Sequence, residues 1–529
     1  MGSKKLQVWL PILFSIVMII GMAIGFQLKE KTMSPTFFGM SKRSSLQELT
    51  ELIKNKYVDK LAYDSINALA ATELLEHLDP HSVFIPAAEL SVVNEEMQGN
   101  FEGIGIEYRL INDTVNVMNV IKDGPSQKAG LQIGDQLLAV ADSIKVSGVK
   151  INPINVRKYF RGPINSSVKV KLKRGNSIQS VTIIRNIIPV SSIDAAYIIV
   201  PSTGYIRINK FAERTYEEFM QNLEMLQKKS IQSLVLDLRG NGGGLMKEAI
   251  DIADEFIEDD QLIVYTEGEH IPKMEYRAKR PGIFEKGKLV VLIDETSASA
   301  SEVLAGALQD LERATIVGRR SFGKGLVQQQ FQLSDGSAVR LTVARYFTPL
   351  GRNIQKSYSH GMKAYQEELM SRFQKKDSTS KPIDSSVVQK IFKTKSGKKV
   401  YGGGGITPDS IVVFDSTRYP KLYMQLLVTN NLADAAFHYF LSNRALFEKY
   451  KSPESYLMSY QPGFLEMGYI SGYALKDSIR LSVIDPSTQK IILNRFKSLI
   501  SRYLWSVNGY FIINNFDDPI IQKALLIVK

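Results

Sequence analysis

The 529-residue chain contains no cysteine, which excludes disulfides, thiolate metal ligands and a cysteine nucleophile. Histidine is scarce as well, with five residues: His77, His81, His270, His360 and His438. The first two have the four-residue spacing of a zinc-protease helix, but Leu78 stands where that motif needs Glu, and Pro80 would break the helix. The sequence therefore predicts no metal site and no cofactor.

The chain carries a net charge of +12, but its lysines are spread along the sequence and no nucleic-acid-binding motif accompanies them. We interpret this charge as a solvated surface and expect no nucleic-acid partner. An apolar content of 44% and a charged content of 23% are typical of a globular protein. At this length roughly two to four domains are expected.

An apolar segment without a charged residue runs from Leu6 to Leu28, directly after Lys4 and Lys5. A bilayer span needs about 20 such residues. Residues 1–30 are therefore predicted to be an uncleaved signal anchor, with a cleaved signal peptide as the competing interpretation. In a bacterium, we expect the bulk of the chain in the periplasm, anchored to the inner membrane, or exported if the signal is cleaved.

The most informative stretch begins with the apolar run Leu289–Ile293, which is typical of a buried strand. The sequence Ser297-Ala298-Ser299-Ala300-Ser301-Glu302 follows and opens a helical pattern. A serine at such a turn lies beside free backbone N–H groups and is suited to be a nucleophile. Helix capping is the alternative role for these serines. Further along come Ser321-Phe322-Gly323-Lys324-Gly325 and then Gln328.

Together these motifs resemble the carboxy-terminal processing proteases, which are tail-specific Ser/Lys peptidases. In that family the nucleophile precedes the lysine by 25 positions, which is the separation of Ser299 and Lys324 here. The resemblance implies that Ser299 is the nucleophile, Lys324 the general base and Gln328 its support. We also assign Glu302 a supporting role, through bonds to nearby backbone or to Gln328, although a Glu in the first turn of a helix also favours the helix dipole without any catalytic part.

A second loop, Gly240-Asn241-Gly242-Gly243-Gly244, follows the buried strand pattern Leu234–Arg239. Strand, glycine loop and helix also outline a nucleotide site, but the loop has neither the GxGxxG spacing nor a Walker lysine. The resemblance implies instead that this loop contributes to an oxyanion hole. We assign that role to the backbone N–H groups of Gly243 and Ala300.

Between about residues 100 and 189 the pattern changes to short strands and glycine turns, and this arrangement resembles a PDZ domain. A glycine-rich loop directs consecutive backbone N–H groups at a terminal carboxylate, and the adjoining strand edge pairs with the peptide. The expected site for a substrate C-terminus is Gly103, Ile104, Gly105 and Ile106.

The predicted fold class is a multidomain α+β protein, with an α/β Ser/Lys protease core, a PDZ β-domain and helical terminal regions. Its predicted parts are the signal segment 1–30, a helical region 42–98, the PDZ domain 99–189, the protease core 190–414 with a polar surface insertion at about 356–404, and a helical extension 415–529. The extension lies outside the resemblance. We interpret it as a module for homodimerisation or for enclosing the site, with simple core packing as the alternative.

The function implied by the resemblance is a serine endopeptidase that recognises C-terminal tails through its PDZ domain and processes or degrades exported proteins. Expected partners are unfolded or tail-exposed protein substrates, and the membrane through the N-terminal segment. A different class of function, a catalytically silent PDZ scaffold at the membrane, remains as the alternative. A Ser-His-Asp protease that uses one of the five histidines is a further one.

Overall fold

The computed structural model describes residues 9, 14–24, 44–141, 143–148, 151–374, 390–481 and 483–529. The chain divides into two units, Met1–Glu73 and Leu74–Lys529. Residues 14–24 are helical, and helix α1 covers Ser45–Lys56. Ser44 begins that helix through a capping box, because its hydroxyl accepts from Gln47 N while the Gln47 side chain accepts from Ser44 N. Helix α2 covers Tyr63–Glu76.

The predicted signal anchor lies largely outside the described residues. Of the segment Leu6–Leu28, only residues 9 and 14–24 are described. In the part of the chain that the structure describes, no helix is both long and apolar enough to cross a membrane.

A six-stranded sheet forms the centre of the larger unit, in the order β10-β11-β12-β15-β16-β21. Its strands are β10 (Ile193–Val200), β11 (Thr203–Ile208), β12 (Ser233–Asp237), β15 (Lys288–Ile293), β16 (Thr315–Gly318) and β21 (Ser410–Ile411). Strands β10 and β11 pair antiparallel, and every other pair is parallel. Asp237 and Leu292 are partners at the ends of β12 and β15. The loops that follow these two strands, the glycine loop and the serine loop, are therefore neighbours.

Helices cover both faces of this sheet, which explains why its strands have continuous apolar sequences. On one face, Leu234 and Leu236 pack in the same core as residues of three helices: α6 (Thr215–Gln227), α7 (Met246–Asp254) and α8 (Ala300–Asp310). On the other face, Val235 packs with Ile521 of the last helix, α16 (Pro519–Val528). Successive residues of a strand point to opposite faces, so one apolar run serves both cores.

A second sheet carries the lysine loop. Its order is β1-β18-β13-β14, with β17 also paired to β18. The strands are β1 (Val83–Ile85), β13 (Leu262–Glu267), β14 (Met274–Arg277), β17 (Leu326–Gln332) and β18 (Ala338–Phe347). Because β1 pairs with β18 beside β17, the turn before β1 is brought towards the start of β17, where Lys324 lies.

The small β-domain has the order β3-β4-β5-β7-β8, with β6 on β5. Its strands are β3 (Ile106–Ile111), β4 (Thr114–Val120), β5 (Gln136–Val140), β6 (Ile144–Lys145), β7 (Ser167–Arg174) and β8 (Ser177–Ile184). Helix α3 (Ala87–Gln98) precedes it, helices α4 (Pro125–Lys128) and α5 (Pro153–Phe160) lie within it, and β2 (Asn100–Gly103) pairs with β9 (Asn186–Pro189). Among the described residues β3 pairs only with β4, so its other edge is open.

The C-terminal extension is helical and has its own core. Its helices are α10 (Lys421–Val428), α11 (Asn431–Ser442), α12 (Arg444–Phe447), α13 (Pro453–Ser459), α14 (Phe464–Ala474) and α15 (Pro486–Asn514), followed by α16. Helix α15 is kinked at Trp505 and Ser506, where the backbone leaves the helical region. Phe447 and Phe496 are fully buried in this core. Packing within the chain thus accounts for the apolar periodicity of the extension.

The stretch predicted to be a polar surface insertion, 356–404, also contributes buried side chains. It forms helix α9 (Gly361–Gln374) and strands β19 (Ile391–Lys393) and β20 (Lys399–Tyr401), and residues 375–389 lie outside the described residues. Lys356, Tyr365 and Arg372 are buried. The two cations are tolerated there because both pair with Glu368.

Candidate active site

The three serines of the loop after β15 have different surroundings. Ser297 and Ser301 are fully buried. Ser297 Oγ donates to Leu238 O at 2.8 Å, and Ser301 Oγ donates to Asn241 O at 2.9 Å. These two hydroxyls therefore hold the serine loop against the glycine loop. Ser299, between them, is only partly buried, and its side chain is the one of the three that remains accessible.

Ser299 has a strained backbone, with φ 56° and ψ −114°. A positive φ is uncommon for a residue with a side chain, and such strain is concentrated at functional sites. Helix α8 begins at the next residue, and Ala300 N–H has no acceptor among the described residues. A first-turn N–H group beside an accessible hydroxyl is the arrangement that an oxyanion requires.

The glycine loop touches this turn. A Cβ at Gly243 would lie 2.8 Å from Ser299 Cβ and 3.1 Å from Ala300 N, so only glycine fits there. The N–H group of Gly243, however, donates to Asn241 Oδ1 at 2.8 Å. In this conformation Gly243 therefore shapes the site without offering a free donor, and its part in the oxyanion hole stays a prediction.

Glu302 connects the serine loop with the lysine loop. Its Oε2 accepts from Ser299 N at 2.9 Å and from Lys324 N at 2.8 Å. Its Oε1 accepts from Ser321 Oγ at 2.5 Å and from Gly323 N at 2.7 Å. Burial raises the pKa of this carboxyl, while these four hydrogen bonds act in the opposite direction.

Lys324 is held by Gln328. Nζ of Lys324 donates to Gln328 Oε1 at 2.9 Å. Burial lowers the pKa of Lys324, and the nearby Arg340 guanidinium lowers it further, whereas Glu302 acts to raise it. The site therefore favours the neutral amine relative to a lysine in water.

His81, to which we assigned no role from the sequence, lies beside this pair in the structure. Its backbone carbonyl accepts a hydrogen bond from Gln328 Nε2, and its ring Nε2 lies 2.8 Å from Tyr365 OH. Asp79-Pro80-His81-Ser82 has the composition of a turn, but nothing in the sequence connects it with Gln328. Tyr365 was missed because it lies in the stretch interpreted as a surface insertion.

The small β-domain has a cavity of about 200 Å³ at the residues predicted to bind a C-terminus. Ile104, Gly105 and Ile106 line it, whereas Gly103 pairs with Asn186 and does not. The other lining residues, which sequence reasoning did not single out, are Phe101, Tyr108, Arg157, Phe160 and Arg161. The cavity is thus lined by mostly apolar and aromatic residues together with two arginines.

Comparison with known proteins identifies the families of two parts of the chain. Residues 202–363 match Peptidase family S41, and residues 103–184 match the PDZ domain. A carboxy-terminal-processing protease of Bartonella bacilliformis is 34% identical over 319 residues, which is 58% of this chain and 71% of that protein. This chain belongs to the carboxy-terminal processing proteases of peptidase family S41. The resemblance predicted from the sequence is thereby confirmed, as are the serine-type peptidase class and the multidomain α+β fold class with a PDZ domain.

Other known proteins match a similar share of this chain. A carboxy-terminal processing protease of Bacillus subtilis is 33% identical, and the match covers 59% of this chain and 65% of that protein. Among solved structures, the photosystem II D1 C-terminal processing protease is 31% identical, with a TM-score of 0.34, over 59% of this chain and 84% of that one. The S41 match ends at residue 363, so the C-terminal helices α10–α16 lie beyond it.

Proposed function

We propose that this chain is a Ser/Lys endopeptidase that binds the C-terminal tail of a protein substrate in its PDZ domain and cleaves the substrate at Ser299. The observation that carries the proposal is the shared acceptor of the two loops: Ser299 N and Lys324 N both donate to Glu302 Oε2. A buried carboxylate that accepts from both backbones fixes the nucleophile and the base relative to each other.

In the proposed reaction, Ser299 Oγ attacks the scissile carbonyl carbon while neutral Lys324 Nζ takes the hydroxyl proton. The tetrahedral intermediate collapses, the C–N bond breaks, and the proton passes from Nζ to the leaving amine. A water molecule then attacks the acyl-enzyme ester, with Lys324 again accepting the proton. Ser299 Oγ leaves with that proton, which restores the starting state.

Two features support Lys324 as the base. A lysine with its reference pKa of about 10.4 is charged at neutral pH and cannot accept a proton. Burial and the charge of Arg340 both lower the pKa of Lys324. Gln328 Oε1 accepts one amine hydrogen, which leaves the nitrogen lone pair to be directed elsewhere.

For the oxyanion we propose Ala300 N–H as one donor, because it is a first-turn N–H next to the nucleophile. Gly243 would join it only if its N–H left Asn241 Oδ1. The glycine at this position supports such an adjustment, since φ is 101° and no side chain restricts the loop.

Tail binding is proposed at the open edge of β3. A peptide tail would pair with this edge by β-augmentation and place its last side chain against Ile104 and Phe160. The terminal carboxylate would lie at the loop of Gly105, with Arg157 as a neighbouring cation. Suitable substrates are therefore unfolded or tail-exposed proteins with an apolar C-terminus. We propose that these are exported proteins and that the chain acts at the periplasmic side of the inner membrane.

Cleavage of an unfolded protein with an apolar C-terminus tests the proposal, with wild type, Ser299→Ala and Lys324→Ala compared. We expect wild type to cleave and both variants to bind the substrate without cleaving it. The same substrate with a C-terminal amide is the control for tail recognition, and we expect it to be cleaved more slowly. Binding without cleavage by wild type would favour the silent scaffold, and cleavage by Lys324→Ala would favour a histidine-based protease.

A further inference from the structure

The amide of Gln328 is fixed at both ends. Its Nε2 donates to the His81 carbonyl, and its Oε1 accepts from Lys324 Nζ. Because the carbonyl of His81 can only accept, it determines that the amide oxygen, and not the nitrogen, faces the lysine. The position of the His81 backbone therefore controls how Gln328 holds the amine.

His81 is itself held by contacts on either side. Asp79 Oδ1 accepts from His81 N at 2.8 Å, and the His81 ring bonds Tyr365 OH at 2.8 Å. The ring also packs edge-on against Phe322 and Tyr365, with centroids 6.2 and 5.5 Å away. Tyr365 OH is in addition 3.5 Å from Gln355 Nε2, and Gln355 Oε1 accepts from Gly325 N, next to Lys324.

Helix α9 anchors Tyr365 to the lysine loop. Arg372 lies two turns after Tyr365 in the same helix, and its guanidinium donates to Ser321 O at 2.6 Å. Lys356 Nζ donates to Tyr365 O at 3.0 Å and lies over the Phe322 and Tyr365 rings. The helix is thus bound to the backbone that carries the base, and it does not form an independent surface element.

We propose that His81 and Tyr365 are positioning residues for Lys324: the hydrogen bond between them fixes the carbonyl that orients Gln328 against the amine. Neither residue touches the substrate or transfers a proton in this scheme. The inference rests on the proposed Ser/Lys function and extends it, since it makes helix α9 part of the catalytic machinery.

The charge state of His81 agrees with a positioning role. Burial lowers its pKa to about 4, and the charge of Lys324 acts in the same direction. The ring is therefore neutral at any pH well above 4 and adds no charge beside the base. The other charged groups that act on it are Asp79, which opposes this effect, and Lys356, which reinforces it. Lys324 in turn is influenced by Arg340, Glu302 and Asp79.

Two single variants each remove the hydrogen bond between His81 and Tyr365, one from the tyrosine side and one from the histidine side. Tyr365→Phe removes the hydroxyl, and His81→Phe removes the ring nitrogen while it keeps the backbone carbonyl and the aromatic packing. We expect each to lower kcat about tenfold with KM nearly unchanged, because misplacement of the base affects the transition state. An amine that Gln328 no longer holds in place would be more exposed to water, which raises the pKa of Lys324, so the acid limb of the pH–rate profile should move to higher pH.

The double variant and a matched control make this test decisive. Since both substitutions break one interaction, the double variant should be no slower than the slower single variant. Tyr358→Phe is the control, because Tyr358 lies in the same stretch and its hydroxyl has no partner in the described part of the chain. It should match wild type in kcat and in the pH profile.

The proposal is overturned if folded Tyr365→Phe has the kcat and pH profile of wild type, or if the effects of the two substitutions multiply. If one single variant does not fold by circular dichroism, the other carries the test by the same criteria. If neither folds, the pair is structural and the proposal fails. Failure of the Ser/Lys scheme looks different, because wild type would then not cleave or Lys324→Ala would cleave as fast as wild type.

Discussion

Ser299 and Lys324, which are 25 positions apart in the sequence, donate their backbone N–H groups to the same oxygen, Oε2 of Glu302. Helix α8 contributes this carboxylate, so the start of one helix holds two loops from different sheets. The relative position of the proposed nucleophile and the proposed base is therefore set by the contacts of their backbones with one carboxylate.

Replacing Glu302 should disturb the position of the serine loop relative to the lysine loop. Glu302→Gln keeps the size of the side chain but turns an NH₂ group towards two of the four donors, which leaves them unsatisfied in a buried site. We expect a loss of about 2 kcal/mol or more in the free energy of unfolding, measured by urea denaturation, together with slower cleavage. Glu224→Gln, at an exposed position of α6, is the control and should behave as wild type.

The pH dependence should respond to Arg340. If Lys324 is the general base, as proposed, cleavage needs its neutral form, and kcat/KM should rise with pH through the pKa of that lysine. Arg340 lowers this pKa, and therefore Arg340→Gln should raise it and shift the rise in kcat/KM to higher pH.

Arg345→Gln is the matched control for this shift, because Arg345 is exposed on the same strand. Its profile should coincide with that of wild type. A shift of the Arg340→Gln profile to lower pH would contradict Lys324 as the group that must lose its proton.

Replacement of Ser299 and replacement of Ser301 should have different effects on cleavage and on stability. Ser299→Ala should abolish cleavage and leave stability nearly unchanged. Ser301→Ala should retain cleavage but lower the free energy of unfolding by about 1 kcal/mol, because a buried hydrogen bond to Asn241 O is lost. Activity assays and urea denaturation of the two variants check this. Loss of activity in a stable Ser301→Ala variant would argue against Ser299 as the nucleophile.

The C-terminal extension should influence the active site through Asp518. Its Oδ2 accepts from Arg239 at 2.7 Å, and Arg239 directly precedes the glycine loop. Asp518→Asn keeps the cap of α16 but removes the charge opposite the partly buried guanidinium of Arg239. We expect a loss of about 1–3 kcal/mol in the free energy of unfolding and slower cleavage.

Asp517→Asn is the matched control, because this neighbouring residue is exposed. In the described part of the chain its side chain accepts one hydrogen bond, from Asn494 Nδ2. Equal stability and activity of the Asp517 and Asp518 variants would show that the extension does not support the glycine loop.

Features of the fold and of the site that depend on a local sequence pattern could be predicted from the sequence. Features that depend on contacts between distant residues could not. The strands of the central sheet were predictable because burial on both faces requires continuous apolar runs such as Leu289–Ile293. Ser299 and Lys324 were predictable because a short motif surrounds each of them. Glu302 was assigned a supporting role, but the four donors that it accepts from were not visible, since three of them lie about 20 residues away.

The features that were missed depend on long-range contacts. His81 meets Gln328 across 247 positions, and no local pattern records such a pairing. The stretch after Lys356 was interpreted as surface because its residues are polar. In the folded chain Lys356 and Arg372 are buried, with carboxylate and aromatic partners that compensate their charge. Polarity alone did not distinguish a solvated loop from a paired interior one.

The most direct test of the central claim uses the absence of cysteine from the chain. Lys324→Cys introduces a single thiol, and its alkylation with 2-bromoethylamine gives a side chain of the same length as lysine, with the terminal amine restored. If Lys324 is the general base, the unmodified variant should not cleave, and the aminoethylated one should. Treatment with methyl methanethiolsulfonate, which adds no amine, should not restore cleavage. Activity of unmodified Lys324→Cys, or no recovery after complete aminoethylation verified by intact mass, would contradict the Ser/Lys account.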